Sequence, residues 1–569
     1  MTHTSGPLSR AASALLALAL AAGVTTPFVV GATTNQRAQD DRDREDGDYE
    51  GRERTPIRHL VVIFQENVSF DHYFATYPHA ANTDGTPFAA KAGTPLVNGL
   101  FPGGMLDHNP NSAQPFRLSS TQAATCDQGH GYKQEQQSYN AGAMNRFPET
   151  VGVGGPGCLD YGHGTGLVMG YYDGNTVTAI WNYAQTFAMS DNSYSTTFGP
   201  STPGAMNLIA GQTHGAMLAS DLFGHVGSPS GNVTAIDGSG IGSVIGDPRP
   251  SPAFDNCTLP SNADPTKART YIAMTGPNIG DLLNRRHVTW GWFQGGFKPA
   301  AAPNPPLPNT PGGNGPIVCG TAHSGVPGTG TSYDYIPHHE PFQYYAQTAN
   351  PRHLGPSRTA MIGHTDQANH QYDLEDFWQA LDTGHLPAVS YLKAAAYQDG
   401  HAGYSSPLDE QVFLVETINR LIQSPEWEHM AIIVLYDDSD GWYDHQMGPI
   451  VMQSHALNPV SGQPDDAVFG SGATANCGTL VPGTFNGRCG YGPRQPFLVI
   501  SPWARQNVVD HHVTDQSSVL RFIEDNWHLG RLGNQSTDAI AGPLEGMFDF
   551  NEHHPRAPRL ILNAFTGAP

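Results

Sequence analysis

Charged residues are scarce in this sequence, and positively charged ones are the scarcest. Lysine, arginine, aspartate and glutamate make up 14% of the 569 residues, against about 25% in a typical soluble protein. Only 28 are basic and 51 are acidic, so the formal net charge is −23. Because nucleic acids and anionic lipid surfaces bind clustered lysine and arginine, this balance excludes a protein that wraps nucleic acid. It leaves room for a small site that holds one phosphate.

Long apolar segments and closely paired cysteines are also missing. After residue 32 no segment approaches 18 uninterrupted apolar residues, the length at which a membrane helix is expected. No C-x-x-C motif occurs, which argues against a structural zinc site. Six cysteines, an even number, fit an oxidising compartment. Cys477 and Cys489 are expected to pair, and proximity in the sequence suggests the pairs Cys126 with Cys158 and Cys257 with Cys319.

The first 55 residues differ from the rest of the chain. Arg10 precedes an apolar run at 11–24 and a small-residue V-x-A site that ends at Ala32, the order typical of a secretory signal peptide. An uncleaved membrane anchor is the alternative, because residues 11–30 are nearly long enough to span a bilayer. Residues 33–55 mix both charge signs and predict a disordered linker. We therefore expect a signal peptide at 1–32, a secreted or periplasmic protein without a stable membrane span after cleavage, and a folded domain at 56–569.

Short apolar runs rich in β-branched residues predict buried strands at 59–64, 430–436 and 496–500. Each run ends abruptly in polar residues, as buried parallel strands do. Helical periodicity appears at 409–423 and 519–527. Strands that alternate with helices predict an α/β fold around a mostly parallel sheet. Regions rich in glycine and proline at 225–265 and 295–332, the first with a potential glycosylation sequon at Asn232, predict surface insertions.

Acidic and amide side chains follow the first two predicted strands. Glu66 and Asn67 come after the first, and Asp437 and Asp438 come after the second. Ligands of open α/β sheets bind beyond the carboxyl ends of the strands, and neighbouring carboxylates resist burial unless a cation lies beside them. The pattern therefore predicts an oxygen-rich metal site. The structural alternative is that the aspartates cap a turn or helix and that Glu66 pairs with an arginine.

A stiff turn surrounds one serine, in the segment G-P-S-T-P-G at 199–204. The fixed φ of proline suits the first position of a helix, and the free N–H groups of a helix start attract phosphate. Ser201 is therefore a candidate nucleophile that a metal would activate. An ordinary helix cap is the alternative.

These segments together resemble a known family. Residues 57–78 (IRHLVVIFQENVSFDHYFATYP), 199–213 (GPSTPGAMNLIAGQT) and 434–445 (VLYDDSDGWYDH) are similar to the bacterial phosphoesterases that include phospholipases C and secreted acid phosphatases. The resemblance extends from about residue 56 to the C-terminus. It implies an alkaline-phosphatase-like three-layer α/β sandwich with loop-rich insertions, and one divalent metal ion bound by Glu66, Asn67, Ser201, Asp437 and Asp438. Oxygen ligands favour calcium or magnesium without fixing the metal's identity.

The resemblance also implies three active-site histidines, namely His130, His339 and His401, with His338 as the substitute for His339. Asn67, His130 and His339 would bind the phosphate, and His401 or His339 would protonate the leaving alcohol. The reaction would pass through a phosphoserine at Ser201. Charged imidazoles suit an acidic working pH, since the usual pKa of histidine is about 6.5. Three others are expected to be surface or core residues, namely His445, His511 and His512.

Departures from the phospholipase pattern favour one branch of the family. Ser201 followed by Pro203 and Gly204, and Asp438 where many relatives have glutamate, resemble the acid phosphatases, and Ala205 stands where a sulfatase needs arginine. The sequence thus predicts a broad acid phosphatase that acts on small phosphate esters. A phospholipase C that cleaves phosphatidylcholine-type phosphodiesters is the alternative. A catalytically silent secreted binding protein is the alternative of another class, and the intact ligand set argues against it. The sequence does not determine the oligomeric state.

Overall fold

The computed structural model of the chain describes residues 53–569 apart from 220–232, 234–239, 248–251, 258–270, 302–317, 320, 455–465, 470–473, 476, 479–480, 482 and 552–556. The predicted signal peptide, most of the predicted linker, the sequon residue Asn232 and much of the two predicted insertions lie outside the described residues. Among the residues that are described, no helix combines the length and the apolar character that a bilayer span requires.

An eight-stranded sheet forms the centre of the structure. Its strands are β1 (His59–Gln65), β2 (Ala188–Ser190), β3 (Trp290–Gln294), β4 (Gln371–Asp373), β5 (Val389–Lys393), β6 (Met430–Tyr436), β7 (Phe497–Ile500) and β8 (Val508–Asp510). Their order across the sheet is β4-β3-β5-β1-β6-β7-β2-β8. β1 lies in the interior of the sheet, hydrogen-bonded to β5 on one side and to β6 on the other.

The strands are parallel except for β7. β7 runs antiparallel to both of its neighbours, β6 and β2. The prediction of a buried strand at 496–500 is therefore confirmed in place, but its parallel direction is wrong. An apolar run shows that both faces of a strand are buried, and it does not encode which way the strand points. The expectation of a mixed α/β fold with a mostly parallel sheet is confirmed.

Nine α-helices are present in the described part of the chain. They are α1 (Phe70–Phe74), α2 (Tyr132–Tyr139), α3 (Phe147–Thr150), α4 (Thr178–Ala184), α5 (Ser201–Ala210), α6 (Ile279–Arg285), α7 (Leu374–Asp382), α8 (Pro407–Gln423) and α9 (Ser517–Asn526). Both predicted helices are present as α8 and α9. α8 begins where the Ser406 hydroxyl accepts a hydrogen bond from the backbone N–H of Asp409, with Pro407 at the first turn, as expected of a capped helix.

The core follows directly from the apolar strands. Every residue of β6 is buried, and β1 is buried from Leu60 onward. On the predicted apolar face of α8, Val415, Ile418, Leu421 and Ile422 are fully buried, and Val412 is half-buried. α5 packs against α9. The central strands are packed on both faces, so their ends have fixed positions. The residues that directly follow these strands are therefore held in place by the packed sheet.

Smaller elements surround this core. Short strands outside the main sheet are Phe116–Arg117 with Gly170–Tyr171, Ser193–Tyr194 with Thr514–Asp515, Gly242–Ser243 with His214–Ala219 and Tyr271–Met274, Pro299–Ala301 with Val318–Cys319, Ala322–Ser324 with Thr331–Tyr333, and Val468–Phe469 with Thr474–Ala475. Short 3-10 helices occupy Ser120–Gln122, Asn140–Gly142, Gly164–Met169, Pro337–His339, Pro341–Tyr344, Thr359–Met361, Ala396–Gln398, Pro425–His429, Thr537–Ala539 and Glu545–Met547. All three predicted disulfides form, namely Cys126–Cys158, Cys257–Cys319 and Cys477–Cys489.

Candidate active site

The carboxyl ends of three neighbouring parallel strands bring the candidate residues together. Gln65 pairs with Tyr436 at the last position shared by β1 and β6. The next residues, Glu66 and Asp437, therefore leave the sheet side by side. β5, on the other side of β1, ends in Lys393. The predicted metal ligands thus meet at one edge of the sheet, because parallel strands end on the same side.

Ser201 is the first residue of α5 and is 2% exposed. Its Oγ lies 3.0 Å from Asp438 Oδ2 and 3.2 Å from Glu66 Oε2. The preceding Gly199 has a φ of 113°, which favours glycine and lets the chain turn into the helix. The start of a helix at Ser201 is confirmed. The geometry gives the hydroxyl two carboxylate acceptors, an arrangement that a simple helix cap does not need.

Gly204 lets the first turn of α5 come close to the backbone of Asp437, directly after β6. A β-carbon at this position would lie 2.2 Å from the carbonyl oxygen of Asp437. No side chain fits at that distance, so a glycine is required for Ser201 and Asp437 to approach each other.

The Asn67 amide lies among three carboxylates. Its φ is 57°, a left-handed conformation that asparagine tolerates. With its NH₂ group turned toward the carboxylates, the amide nitrogen lies 2.6 Å from Glu66 Oε2, 2.9 Å from Asp437 Oδ1 and 3.3 Å from Asp438 Oδ2, and its oxygen accepts from His401 Nε2 at 3.0 Å. Rotated by half a turn, the same amide presents its oxygen at the centre of the carboxylates. That orientation suits a cation, which oxygen atoms of this kind bind.

The donor set fits a divalent cation. Glu66, Asn67, Ser201, Asp437 and Asp438 are all at most 2% exposed. Oδ2 of Asp437 is buried and accepts no hydrogen bond from the residues that the structure describes. Burial raises the pKa of Asp438 well above its usual value, and burial with the Glu66 charge raises that of Asp437. Crowded buried carboxylates of this kind are stabilised in their ionised form by a cation.

His130 lies at the partly open side of the site, and its side chain is 14% exposed. Its Nδ1 is 2.9 Å from the carbonyl oxygen of Gln128 and 3.0 Å from Asp440 Oδ1. Burial alone would lower the pKa of His130, but the carboxylates of Asp438 and Asp440 raise it well above 6.5. These carboxylates therefore favour the charged form of His130.

His339 and His401 complete the set of predicted histidines. Nδ1 of His339 lies 2.9 Å from Glu66 Oε1. Nδ1 of His401 lies 2.6 Å from the carbonyl oxygen of Ala402, and the rings of His401 and His130 are 5.9 Å apart. His338, the substitute, is partly exposed, and its Nε2 lies 3.9 Å from Asp247 Oδ2. The structure thus brings all three preferred histidines to the carboxylates and leaves His338 farther out.

The charge state of His339 differs from the expectation of a charged imidazole. Burial and the neighbouring His338 lower the pKa of His339 well below 6.5. A buried imidazole next to the Lys393 ammonium stays neutral because a second positive charge there would be unfavourable. The expectation therefore suits His130 but not His339.

Two residues of the site, Lys393 and Glu135, were not predicted from the sequence. Lys393 contacts Glu66 Oε1, so Glu66 pairs with lysine and histidine and not with arginine as the structural alternative required. Glu135 of α2 accepts hydrogen bonds from Gly199 N at 2.8 Å and from Ser439 Oγ at 2.7 Å, which ties the serine turn to the aspartate loop. The sequence does contain a signal for Lys393, because this lysine ends the strand-like segment V-S-Y-L at 389–392. Glu135 lies on a polar helix and has no comparable signal.

The three histidines that were expected to lie outside the site form ion pairs with aspartates. His445 Nδ1 lies 2.6 Å from Asp71 Oδ2, next to buried Arg494. His511 pairs with Asp191 at 2.7 Å and His512 with Asp510 at 2.6 Å, and both imidazoles are largely exposed. None of these three pairs includes a residue of the candidate ligand set.

Comparisons with known proteins show the family of this chain. A family model described as the phosphoesterase family matches residues 57–530. The chain is 24% identical over 542 residues to phospholipase C B of Mycobacterium tuberculosis, covering 90% of this chain and 84% of that protein. It is 23% identical over 530 residues to the non-hemolytic phospholipase C of Pseudomonas aeruginosa, covering 88% of this chain and 59% of that protein. A shorter match, 28% over 196 residues, is to the non-specific phospholipase C1 of Arabidopsis thaliana, with 32% of each chain covered. The chain therefore belongs to the phosphoesterase family and is a phosphoric ester hydrolase.

Proposed function

We propose that this chain is a phospholipase C-type phosphodiesterase that cleaves phosphatidylcholine-like lipids. The observation that carries the proposal is Ser201 Oγ beside Glu66 and Asp438, in a chain whose relatives are phospholipases C over most of its length. These relatives favour the phosphodiesterase over the broad acid phosphatase that the sequence predicted. Phospholipid is accordingly the proposed substrate.

Glu66, Asn67, Ser201, Asp437 and Asp438 are the residues proposed to hold one divalent cation. When bound, such an ion supplies positive charge that favours the ionised serine and the developing charge on phosphate. The all-oxygen donor set supports calcium or magnesium.

Ser201 is the proposed nucleophile. Its oxygen forms a bond to phosphorus, and the bond between phosphorus and the glycerol oxygen breaks. The hydroxyl proton passes to Asp438 Oδ2, the nearer carboxylate acceptor at 3.0 Å. The leaving alkoxide becomes diacylglycerol by taking a proton from His401, because His339 is neutral and turns Nδ1 toward Glu66. Water then attacks phosphorus and gives one proton to His401, the bond between phosphorus and the Ser201 oxygen breaks, and the proton held by Asp438 returns to that oxygen as the phosphorylated head group leaves.

The other polar groups of the site bind the phosphate. Asp438 and Asp440 raise the pKa of His130 against the effect of burial, which favours its charged form, so it is proposed to donate to a phosphate oxygen together with Asn67. His339 is proposed to line the phosphate site without donating to it, because its Nδ1 already faces Glu66 Oε1 at 2.9 Å. Solvent reaches the site from the side of His130 and His338, whose side chains are 14% and 25% exposed. That side is the proposed entry for the substrate.

The test compares two substrates. Purified protein is assayed with p-nitrophenyl phosphorylcholine and with p-nitrophenyl phosphate, with and without a chelator, and lipid products are analysed from phosphatidylcholine vesicles. We expect hydrolysis of the diester, release of diacylglycerol and loss of activity with chelator. Rapid hydrolysis of the monoester without any diester cleavage would contradict the proposal.

An acid phosphatase is the second candidate, because the segment Ser201-Thr202-Pro203-Gly204 and the pair Asp437-Asp438 resemble that branch of the family. The same assay separates the two candidates. The phosphatase predicts that the monoester is the better substrate, with a rate that is highest in acid.

We further propose the finer features of architecture and location. The sheet order and the site at its carboxyl edge support an alkaline-phosphatase-like sandwich with insertions at 225–265 and 295–332. Three disulfides support an oxidising compartment, consistent with a signal peptide at 1–32, a linker at 33–55 and export of the domain at 56–569. N-terminal sequencing of the protein recovered outside the cell tests the cleavage site.

A further inference from the structure

Lys393 is an ammonium group inside the carboxylate cluster. Its side chain is 1% exposed, contacts Glu66 Oε1 and lies 3.7 Å from Asp437 Oδ2. Nζ also lies 5.0 Å from the centre of the Phe64 ring. Burying an ammonium is costly unless anions surround it. The carboxylates of Glu66 and Asp437 therefore stabilise the buried charge of Lys393.

The groups around Lys393 resemble the donors of a second cation site. Glu66, His339 and Asp399 are all buried, and each has a ligand atom within 4.8 Å of those of the other two. His339 Nδ1 is 2.9 Å from the same Glu66 oxygen that contacts Lys393. Carboxylate oxygens and imidazole nitrogens are both ligands that zinc binds in proteins. The Lys393 ammonium contacts Glu66 of this group, and the charge of Asp399 acts on it as well.

The two oxygens of Glu66 serve different partners. Oε2 faces Ser201 at 3.2 Å, whereas Oε1 faces Lys393 and His339. In phosphoesterases with two metals, the ions lie about 3.5–4 Å apart and stabilise the attacking and leaving oxygens. In this chain the glutamate bridges the proposed metal site and a lysine.

We propose that Lys393 takes the place of a second metal ion, so that the site holds one divalent cation and one fixed ammonium. The proposal rests on the proposed assignment of Glu66 and Asp437 as metal ligands. Lys393 is a positioning residue: it holds Glu66 Oε1 and thereby directs Oε2 toward Ser201. It also limits the protein to one metal ion per chain, because the ammonium already neutralises the group of Glu66, His339 and Asp399 that a second ion would bind.

The test is the number of bound ions. Wild-type protein and the Lys393→Ala variant are dialysed against Zn²⁺ as the sole divalent metal, and bound zinc is measured by mass spectrometry. We expect about one equivalent for wild type and about two for Lys393→Ala. The double variant with Asp399→Asn should return to about one. Lys298→Ala is the matched control, because Lys298 pairs with Glu375 at the surface, and it should keep the wild-type number.

Two equivalents in wild type, or one in a folded Lys393→Ala variant, would overturn the proposal. If Lys393→Ala is unfolded without metal, saturating Zn²⁺ should restore the circular dichroism of the folded protein, and failure to do so would also overturn it. The proposed function fails by a different result, namely no phosphodiester hydrolysis by wild type while the zinc numbers remain as expected.

Discussion

The hydroxyl of Ser201 lies 3.0 Å from Oδ2 of Asp438, although 237 residues separate them in the chain. The serine begins a helix and the aspartate follows a strand, and both are buried. The hydroxyl is thus within hydrogen-bonding distance of a fixed carboxylate that is able to accept its proton. The contact is therefore the structural basis for assigning Ser201 as the nucleophile.

Replacing Ser201 with alanine should remove the activity and preserve the fold. Loss of a nucleophile typically lowers kcat by at least about 10³-fold. The measurement is hydrolysis of p-nitrophenyl phosphorylcholine, with circular dichroism to check folding. Ser195→Ala is the matched control, because Ser195 Oγ is buried and has no hydrogen-bond partner among the described residues. Near wild-type turnover by Ser201→Ala would assign the nucleophile elsewhere.

Replacing Asp437 with asparagine should weaken the binding of a divalent cation. Oδ2 of Asp437 is buried without a hydrogen bond from the described residues, and removing its charge takes away one anionic ligand. We expect affinity for Ca²⁺ or Mg²⁺ to fall at least about tenfold, as measured by titration calorimetry. Asp107→Asn changes an exposed aspartate and should leave the affinity unchanged. Equal affinities for the two variants would exclude Asp437 as a ligand.

Replacing Gly204 with alanine should displace the helix that carries Ser201. The new β-carbon would lie 2.2 Å from the carbonyl oxygen of Asp437, and such overpacking costs about 1–3 kcal/mol. Urea unfolding measures this loss, and activity should fall with it. Gly355→Ala is the control, since no atom lies within 4 Å of the added β-carbon. Equal stability of both variants would show that the loop after β6 yields easily.

The pair of His445 and Asp71 should make stability depend on pH. Burial opposes the charge of His445, but Asp71 raises its pKa above 6.5. Similarly, burial opposes ionisation of Asp71, but His445 and Arg494 lower its pKa below 3.8. The stabilisation from protonated His445 is therefore complete below pH 6.5 and is lost as pH rises through the raised pKa. The stabilisation from ionised Asp71 is lost as pH falls below 3.8.

The free energy of unfolding is measured at pH 6 and pH 8 for wild type and His445→Gln. We expect the difference between the two proteins to be about 1–2 kcal/mol at pH 6 and smaller at pH 8. His512→Gln removes an imidazole that is 74% exposed and should show no such change. A difference that is the same at both pH values would mean that His445 acts without its charge.

The proposed metal ligands were predictable because Glu66, Asn67, Asp437 and Asp438 follow apolar strands and Ser201 begins a helix. Glu66 and Asp437 are adjacent once their strands pair, and the strands are visible as apolar runs. The direction of β7 was not predictable, since burial on both faces is the same for either direction. The ammonium of Lys393 was also missed, because a lysine is normally exposed and only the full set of surrounding carboxylates explains its burial.

The histidines required the resemblance to a family. His130 and His401 lie on irregular segments and His339 ends a short 3-10 helix, so none of them belongs to a stretch with a periodic signal. Their charge states required the structure itself, because they depend on which carboxylates face each ring. His130 faces Asp438 and Asp440, whereas His339 lies beside His338 and Lys393.

The strand pairing of β1 also determines when the enzyme can become active. Asn67 N donates to Asp437 Oδ1 across 370 residues of chain. At about 5–20 residues per second, a ribosome needs roughly 20–70 s to make that length. During this time β1 lacks its neighbour β6, so the edge of β1 that pairs with β6 in the folded protein has no partner strand. A growing chain therefore carries no complete ligand set, and the cell that makes the protein is not exposed to its activity until synthesis has passed β6.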